Sequence, residues 1–171
     1  MTKRSLLVIP ALFIATTVQA KLAQTAHADI INAKGEKIGT ATLHAAKSGV
    51  KINLNVSQLP AGTHALHIHG VGKCDPPDFK SAGPHFNPDN KKHGSKNPDG
   101  PHAGDLPNFD VGPDGTAKVS VVAPNVTLGD GPNSLFHPEG TALVIHEKAD
   151  DYMTDPAGNA GARIACGVVQ K

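Results

Sequence analysis

Ten histidines stand in a chain that has one tyrosine and no tryptophan, and their spacing suggests metal chemistry. His67 and His69 are two residues apart in the stretch Gly62-Thr-His-Ala-Leu-His-Ile-His-Gly70. On a strand, residues i and i+2 face the same way, so two imidazoles would stand side by side on a rigid support while Ile68 points to the opposite face. His146 closes an apolar run, and His85 lies in a proline-flanked loop segment. With those two added, four nitrogen donors would suit copper, which accepts imidazoles in a tetragonal arrangement. His93, His102 and Asp105 follow in the same long loop. Joined by His85, they would complete the three-nitrogen, one-oxygen tetrahedral shell expected for zinc. A single loop histidine is more often solvated than ligating. Seven candidate donors on the loops and strand ends of one domain point to metal.

Donors so dispersed need a rigid frame, and the frame reads as β. Residues 28–33, 39–44 and 50–56 alternate apolar and polar side chains, separated by turn signals at Lys34-Gly35-Glu36 and Ser48-Gly49. Further strands are predicted over 65–68, 116–122, 142–146 and 164–169. Residues 70–108 and 147–163 are rich in Gly, Pro, Asp and Asn and show no helical period. Structureless stretches of that length inside a compact domain are usually functional or disordered. The expectation is an all-β domain: an eight-stranded Greek-key barrel or sandwich with two long functional loops.

The first twenty residues do not belong to that domain. Lys3 and Arg4 precede an apolar run from Leu6 to Val18, and Val18-Gln19-Ala20 offers small residues for cleavage. Residues 1–20 are therefore expected to be a cleaved secretory signal, leaving 21–171 as the mature domain, periplasmic or secreted. The run is too short for a comfortable membrane anchor. In an oxidising compartment Cys74 and Cys166 are expected to pair as a disulfide. A net charge of +1 lacks the basic stripe that nucleic acid binding requires.

Six motifs together resemble the copper/zinc superoxide dismutases of the exported bacterial type. They are His64-Ala-Leu-His-Ile-His69, Ala82-Gly-Pro-His-Phe-Asn-Pro88, His93-Gly94, His102-Ala-Gly-Asp-Leu106, the run from Gly140 to Asp151, and the run from Gly158 to Gly167. The resemblance implies one copper per subunit on His67, His69, His85 and His146. It also implies one zinc on His85, His93, His102 and Asp105, with His85 bridging as an imidazolate. Asp150 would bond one histidine of each metal, and His64 would be structural and not a ligand. Arg163 would hold the superoxide anion beside copper, and His85 would take part in proton transfer. The implied reaction turns superoxide into dioxygen and hydrogen peroxide.

Departures from the familiar pattern lie in the second loop. It is shorter than in eukaryotic relatives, and Lys148 is left without the charged cluster that steers substrate there. Ala157 stands where many relatives carry threonine, which implies a wider channel. The sequence admits either a monomer or a homodimer. A metal carrier would be expected to lack Arg163 or Asp150, and a member that had lost catalysis to lack a copper ligand; all of these residues are present.

Overall fold

The computed structural model describes residues 24–171; the leader expected over residues 1–20 lies outside the described residues. Among the described residues there are nine strands: β1 (Thr25–Asn32), β2 (Lys37–Ala46), β3 (Gly49–Val56), β4 (Gly62–His64), β5 (Leu66–His69), β6 (Phe109–Val111), β7 (Ala117–Ala123), β8 (Ala142–His146) and β9 (Arg163–Val168). Seven form one antiparallel sheet in the order β5-β8-β9-β1-β2-β3-β7, and β4 pairs with β6. β4 and β5 are one run interrupted at Ala65, so the nine segments trace eight strand runs, as the sequence leads one to expect. A tight turn from Gly112 to Thr116 carries β6 into β7, which links the two ends of the curled sheet. β3 lies beside β7, while the chain leaves it for β4, and that crossover is the Greek-key connection.

Alternation builds the interior. Ala26, Ala28 and Ile30 from β1, and Val50, Ile52, Leu54 and Val56 from β3, are buried together with Ile38, Ala41 and Leu43 from β2. The step from Ile38 to Ala41 breaks the period of two because β2 carries a bulge, where Ile30 and Ile31 pair with Gly39 and Lys37. Strands β4 and β6 are not among the predicted ones. At three residues each they are too short to show a period, and their mutual pairing alone defines them.

Burial along β5 and β8 differs from that of the other strands, since every residue of both is buried. Leu66, Ile68, Leu143 and Ile145 belong to the main core, whereas Ala142 and Val144 pack with Phe79, Ala82 and Cys166 in a second, smaller cluster. His67 lies opposite Val144, and His69 opposite Ala142. The outer face of these strands is thus covered by the long loops, and the histidines lie beneath them.

Backbone hydrogen bonds bring the first loop to that face. β5 is an edge strand, and an unpaired edge must satisfy its peptide groups elsewhere. Ile68 N–H donates to Gly104 O (2.8 Å), Ile68 O accepts from Phe86 N–H (2.8 Å), and Gly104 N–H donates to Phe86 O (2.9 Å). His67 thereby bridges to Asp105, and His69 to His85. Satisfying the edge of β5 places loop ligands beside strand ligands.

Candidate metal centre

His67, His69, His85 and His146 each have one ring nitrogen engaged by a partner, which fixes where the other points. His67 Nε2 lies 2.8 Å from Asp150 Oδ2, and His69 Nδ1 lies 2.8 Å from Gly83 O. His146 Nδ1 faces Gly161 O at 3.3 Å, and His85 Nδ1 lies 2.9 Å from Asp105 Oδ1. The remaining atoms, His67 Nδ1 and the Nε2 atoms of His69, His85 and His146, converge. His69 Nε2 and His146 Nε2 are 3.4 Å apart, and the four residues offer ligand atoms within 4.8 Å of one another. His67 Nδ1 and His85 Nε2 are buried with no hydrogen-bond partner. An unpartnered buried nitrogen is costly, and a cation at the focus of these lone pairs would satisfy all four.

The second group gathers about Asp105. Its Oδ1 lies 2.9 Å from His85 Nδ1, 3.0 Å from His93 Nδ1 and 3.3 Å from His102 Nδ1, and the Nδ1 atoms of His85 and His102 are 3.4 Å apart. A tetrahedral ion with bonds of about 2.0 Å separates its ligands by about 3.3 Å, so the spacing fits zinc. Asp105 Oδ2 accepts from the backbone N–H of Gly94 (2.9 Å) and His102 (3.0 Å), which orients the carboxylate. His85 belongs to both groups through its two nitrogens.

Asp150 ties the groups together. Its Oδ2 meets His67 Nε2, and its Oδ1 meets His93 Nε2 at 2.9 Å. His67, His93 and Asp150 also lie close enough to hold an ion, but both oxygens and both Nε2 atoms are already paired, so the trio is a hydrogen-bonded link. Asn108 clamps the Asp150 backbone from both sides: its Nδ2 donates to Asp150 O and its Oδ1 accepts from Asp150 N, each at 2.9 Å. Tyr152 N–H donates to Asp150 Oδ1 (2.6 Å), and the Tyr152 hydroxyl accepts from Asn108 N–H (2.8 Å). Asn108 and Tyr152 carried no signal in the sequence, because an asparagine in a loop and a lone tyrosine have no motif spacing.

Electrostatics divide the histidines. Burial lowers the pKa of His67, takes His69 to about 2, and takes His85 and His146 to about 4. These rings are neutral at neutral pH and present lone pairs. Burial would lower His93 too, but hydrogen bonds to Asp105 and Asp150 outweigh it and raise the ring to about 9. Both carboxyls are held well below the usual range: burial opposes this, and the histidine hydrogen bonds overcome it.

Arg163 opens β9 and is half-buried. Its Nη1 donates to Phe79 O and its Nη2 to Gly83 O, each at 2.7 Å. Gly83 O also receives His69 Nδ1, so a single carbonyl couples the guanidinium to the first histidine group. The Cys74–Cys166 disulfide, with Cα atoms 5.6 Å apart, fastens β9 to the loop that supplies these carbonyls. His64 is buried with Nδ1 against His146 O (2.8 Å) and Nε2 against Pro60 O (2.9 Å), so neither nitrogen is free for a metal.

Comparison with known proteins shows the family. The sequence profile described as copper/zinc superoxide dismutase (SODC) matches residues 37–169. The chain belongs to the copper/zinc superoxide dismutase family. It is 62% identical over 146 residues to a Cu-Zn superoxide dismutase of Aquifex aeolicus, covering 84% of this chain and 86% of that protein. Among solved structures, a superoxide dismutase-like protein from Bacillus subtilis superposes with a TM-score of 0.80 at 43% identity, over 83% of this chain and 96% of that one. The Cu/Zn superoxide dismutase from Brucella abortus does so with a TM-score of 0.70 at 28% identity, covering 86% and 100%. Family members bind copper and zinc, and the two histidine groups are compatible with that pair of ions.

Proposed function

We propose that this protein disproportionates superoxide: two superoxide anions and two protons give one dioxygen and one hydrogen peroxide. The observation that carries the reading is the double membership of His85, whose Nδ1 faces the Asp105 group while its buried Nε2 has no partner. His67, His69, His85 and His146 would hold copper, and His85, His93, His102 and Asp105 would hold zinc. When bound, copper supplies a one-electron couple, and zinc a closed-shell cation that tunes His85.

The chain's own residues supply the rest of the mechanism. Arg163, fixed by two carbonyls, presents a guanidinium edge to a small anion and cannot lose its charge at working pH. His85 Nε2, when no metal engages it, can hold a proton and pass it to the reduced substrate. Asp150 sets the tautomers of His67 and His93 at once, so ligand orientation in one group depends on the other. His64 anchors the His146 carbonyl. The disulfide holds Arg163 in register with Gly83.

Residues 21–171 would be the mature, extracytoplasmic domain. The disulfide and the leader pattern in residues 1–20 support export. Among the described residues no helix is long and apolar enough to cross a membrane.

Metal analysis and turnover test the reading together. The purified protein should carry about one copper and one zinc per chain and remove superoxide, and His146→Ala should lose copper and activity. Metal-replete protein that leaves superoxide untouched would refute the proposed reaction.

A further inference from the structure

We propose that Gly158 is a positioning residue for the paired metal site: its bare Cα seats against the Asp150–His93 hydrogen bond, and only a residue without a side chain there lets Asp150 reach both histidines. The inference rests on the reading of His93 as a zinc donor. A β-carbon at 158 would overlap Asp150 Oδ1, lie 2.5 Å from Asp150 Cγ and come within 2.7 Å of His93 Nε2. Neither side can yield cheaply. Asp150 is buried, with its backbone gripped by Asn108 on both polar groups. Gly158 is gripped as well, its N–H donating to Thr154 O (2.6 Å) and its carbonyl accepting from Asp151 N–H (3.0 Å). The turn between them is closed by the Asp151 carboxylate, which accepts from the backbone N–H of Met153 and Thr154, from the Thr154 hydroxyl and from Asn159 Nδ2. The same loop is docked on His93 through Asp155 Oδ1, which accepts His93 N–H at 2.8 Å. A side chain at 158 must therefore displace the Asp150 carboxylate, and with it the hydrogen bonds to His93 and His67.

Gly158 also has φ +64, so backbone strain must be separated from displacement of Asp150. Zinc affinity of the copper-free protein, read by competition with a chromophoric chelator, makes that separation. Gly158→Ala should weaken zinc by roughly 10- to 100-fold, the usual cost of losing an outer hydrogen-bonding partner. Gly35→Ala is the strain control: Gly35 has φ +78, and its nearest neighbour to an added β-carbon is Pro76 Cγ at 3.8 Å. It should leave zinc affinity unchanged. In an Asp150→Ala background the offending carboxylate is gone, so adding Gly158→Ala should cost less than about twofold more. Unchanged affinity in Gly158→Ala, an equal loss in Gly35→Ala, or a full additive loss in the double variant would each overturn the inference. If Gly158→Ala does not fold, recovery of folded protein in the double variant is the expected result, and a double variant equally unfolded overturns it. Wild-type protein that binds no zinc refutes the site reading itself.

Discussion

Zinc binding should release one proton over a defined pH window, and that proton comes from His93. In the metal-free protein His93 is protonated up to about pH 9, held between Asp105 and Asp150. Zinc needs its Nδ1 lone pair, so the ring must give up the Nδ1 proton while Nε2–H stays on Asp150. His85, with a pKa of about 4, is already neutral; its one proton moves from Nδ1 to the unpartnered Nε2 when zinc takes Nδ1 in the copper-free protein, so it releases none. Between pH 7 and 9 the apparent zinc affinity should therefore rise about tenfold in the first unit and about fivefold in the second, as the ring reaches half-deprotonation, roughly fiftyfold or about 2.3 kcal/mol in all. Calorimetric titration of copper-free protein at pH 7.5, in two buffers of different ionisation enthalpy, should count close to one proton released per zinc. Asp150→Asn removes one of the two supports of the charged ring and should shift the window to lower pH. Stability of the metal-free fold runs the opposite way. A raised histidine favours the folded state below the unfolded pKa of 6.5 and loses that favour as pH rises through about 9, so stability should fall across the window in which zinc affinity climbs. A pH-independent affinity from 7 to 9, or no proton release at pH 7.5, would refute the assignment of His93 as a charged donor displaced by zinc.

Other perturbations give separable outcomes. Asp150→Ala should weaken copper and zinc alike by roughly 10- to 100-fold in chelator competition, because one carboxylate serves a histidine of each group; loss of one metal alone would contradict the link. Arg163→Ala should slow superoxide removal while both metals stay bound, and Arg163→Lys should restore little, since an ammonium cannot span Phe79 O and Gly83 O as the guanidinium fork does. Reduction of the Cys74–Cys166 bond opens a loop with a sequence separation of 92, which should lower unfolding stability by about 4 to 5 kcal/mol in denaturant titration. Acid should destabilise the metal-free protein below pH 6.5: the depressed His69, His85 and His146 take up protons in the unfolded chain first, and this stability is lost as pH falls toward about 4 for His85 and His146 and toward about 2 for His69.

The sequence alone determined the chemistry of the donors and the kind of frame that carries them. Alternation identified β1 to β3 and put His67 and His69 on one face with Ile68 inside, because side-chain direction along a strand follows from backbone geometry alone. Family motifs supplied the remaining ligands, Asp150 and Arg163, and export context supplied the disulfide. Tertiary structure decided how the ligands meet. Ile68, hydrogen-bonded to Gly104 and Phe86, draws His85, His102 and Asp105 onto the edge of β5, a backbone pairing that no side-chain pattern encodes. Strands β4 and β6, the Gly83 carbonyl shared by Arg163 and His69, the Asn108 and Tyr152 clamp on Asp150, and the bare Cα of Gly158 are contacts between segments far apart in the chain or on opposite sides of a loop. Local propensity is set by neighbours in sequence, whereas these contacts exist only once the loops have closed over β5 and β8 and buried polar groups must find partners across the fold.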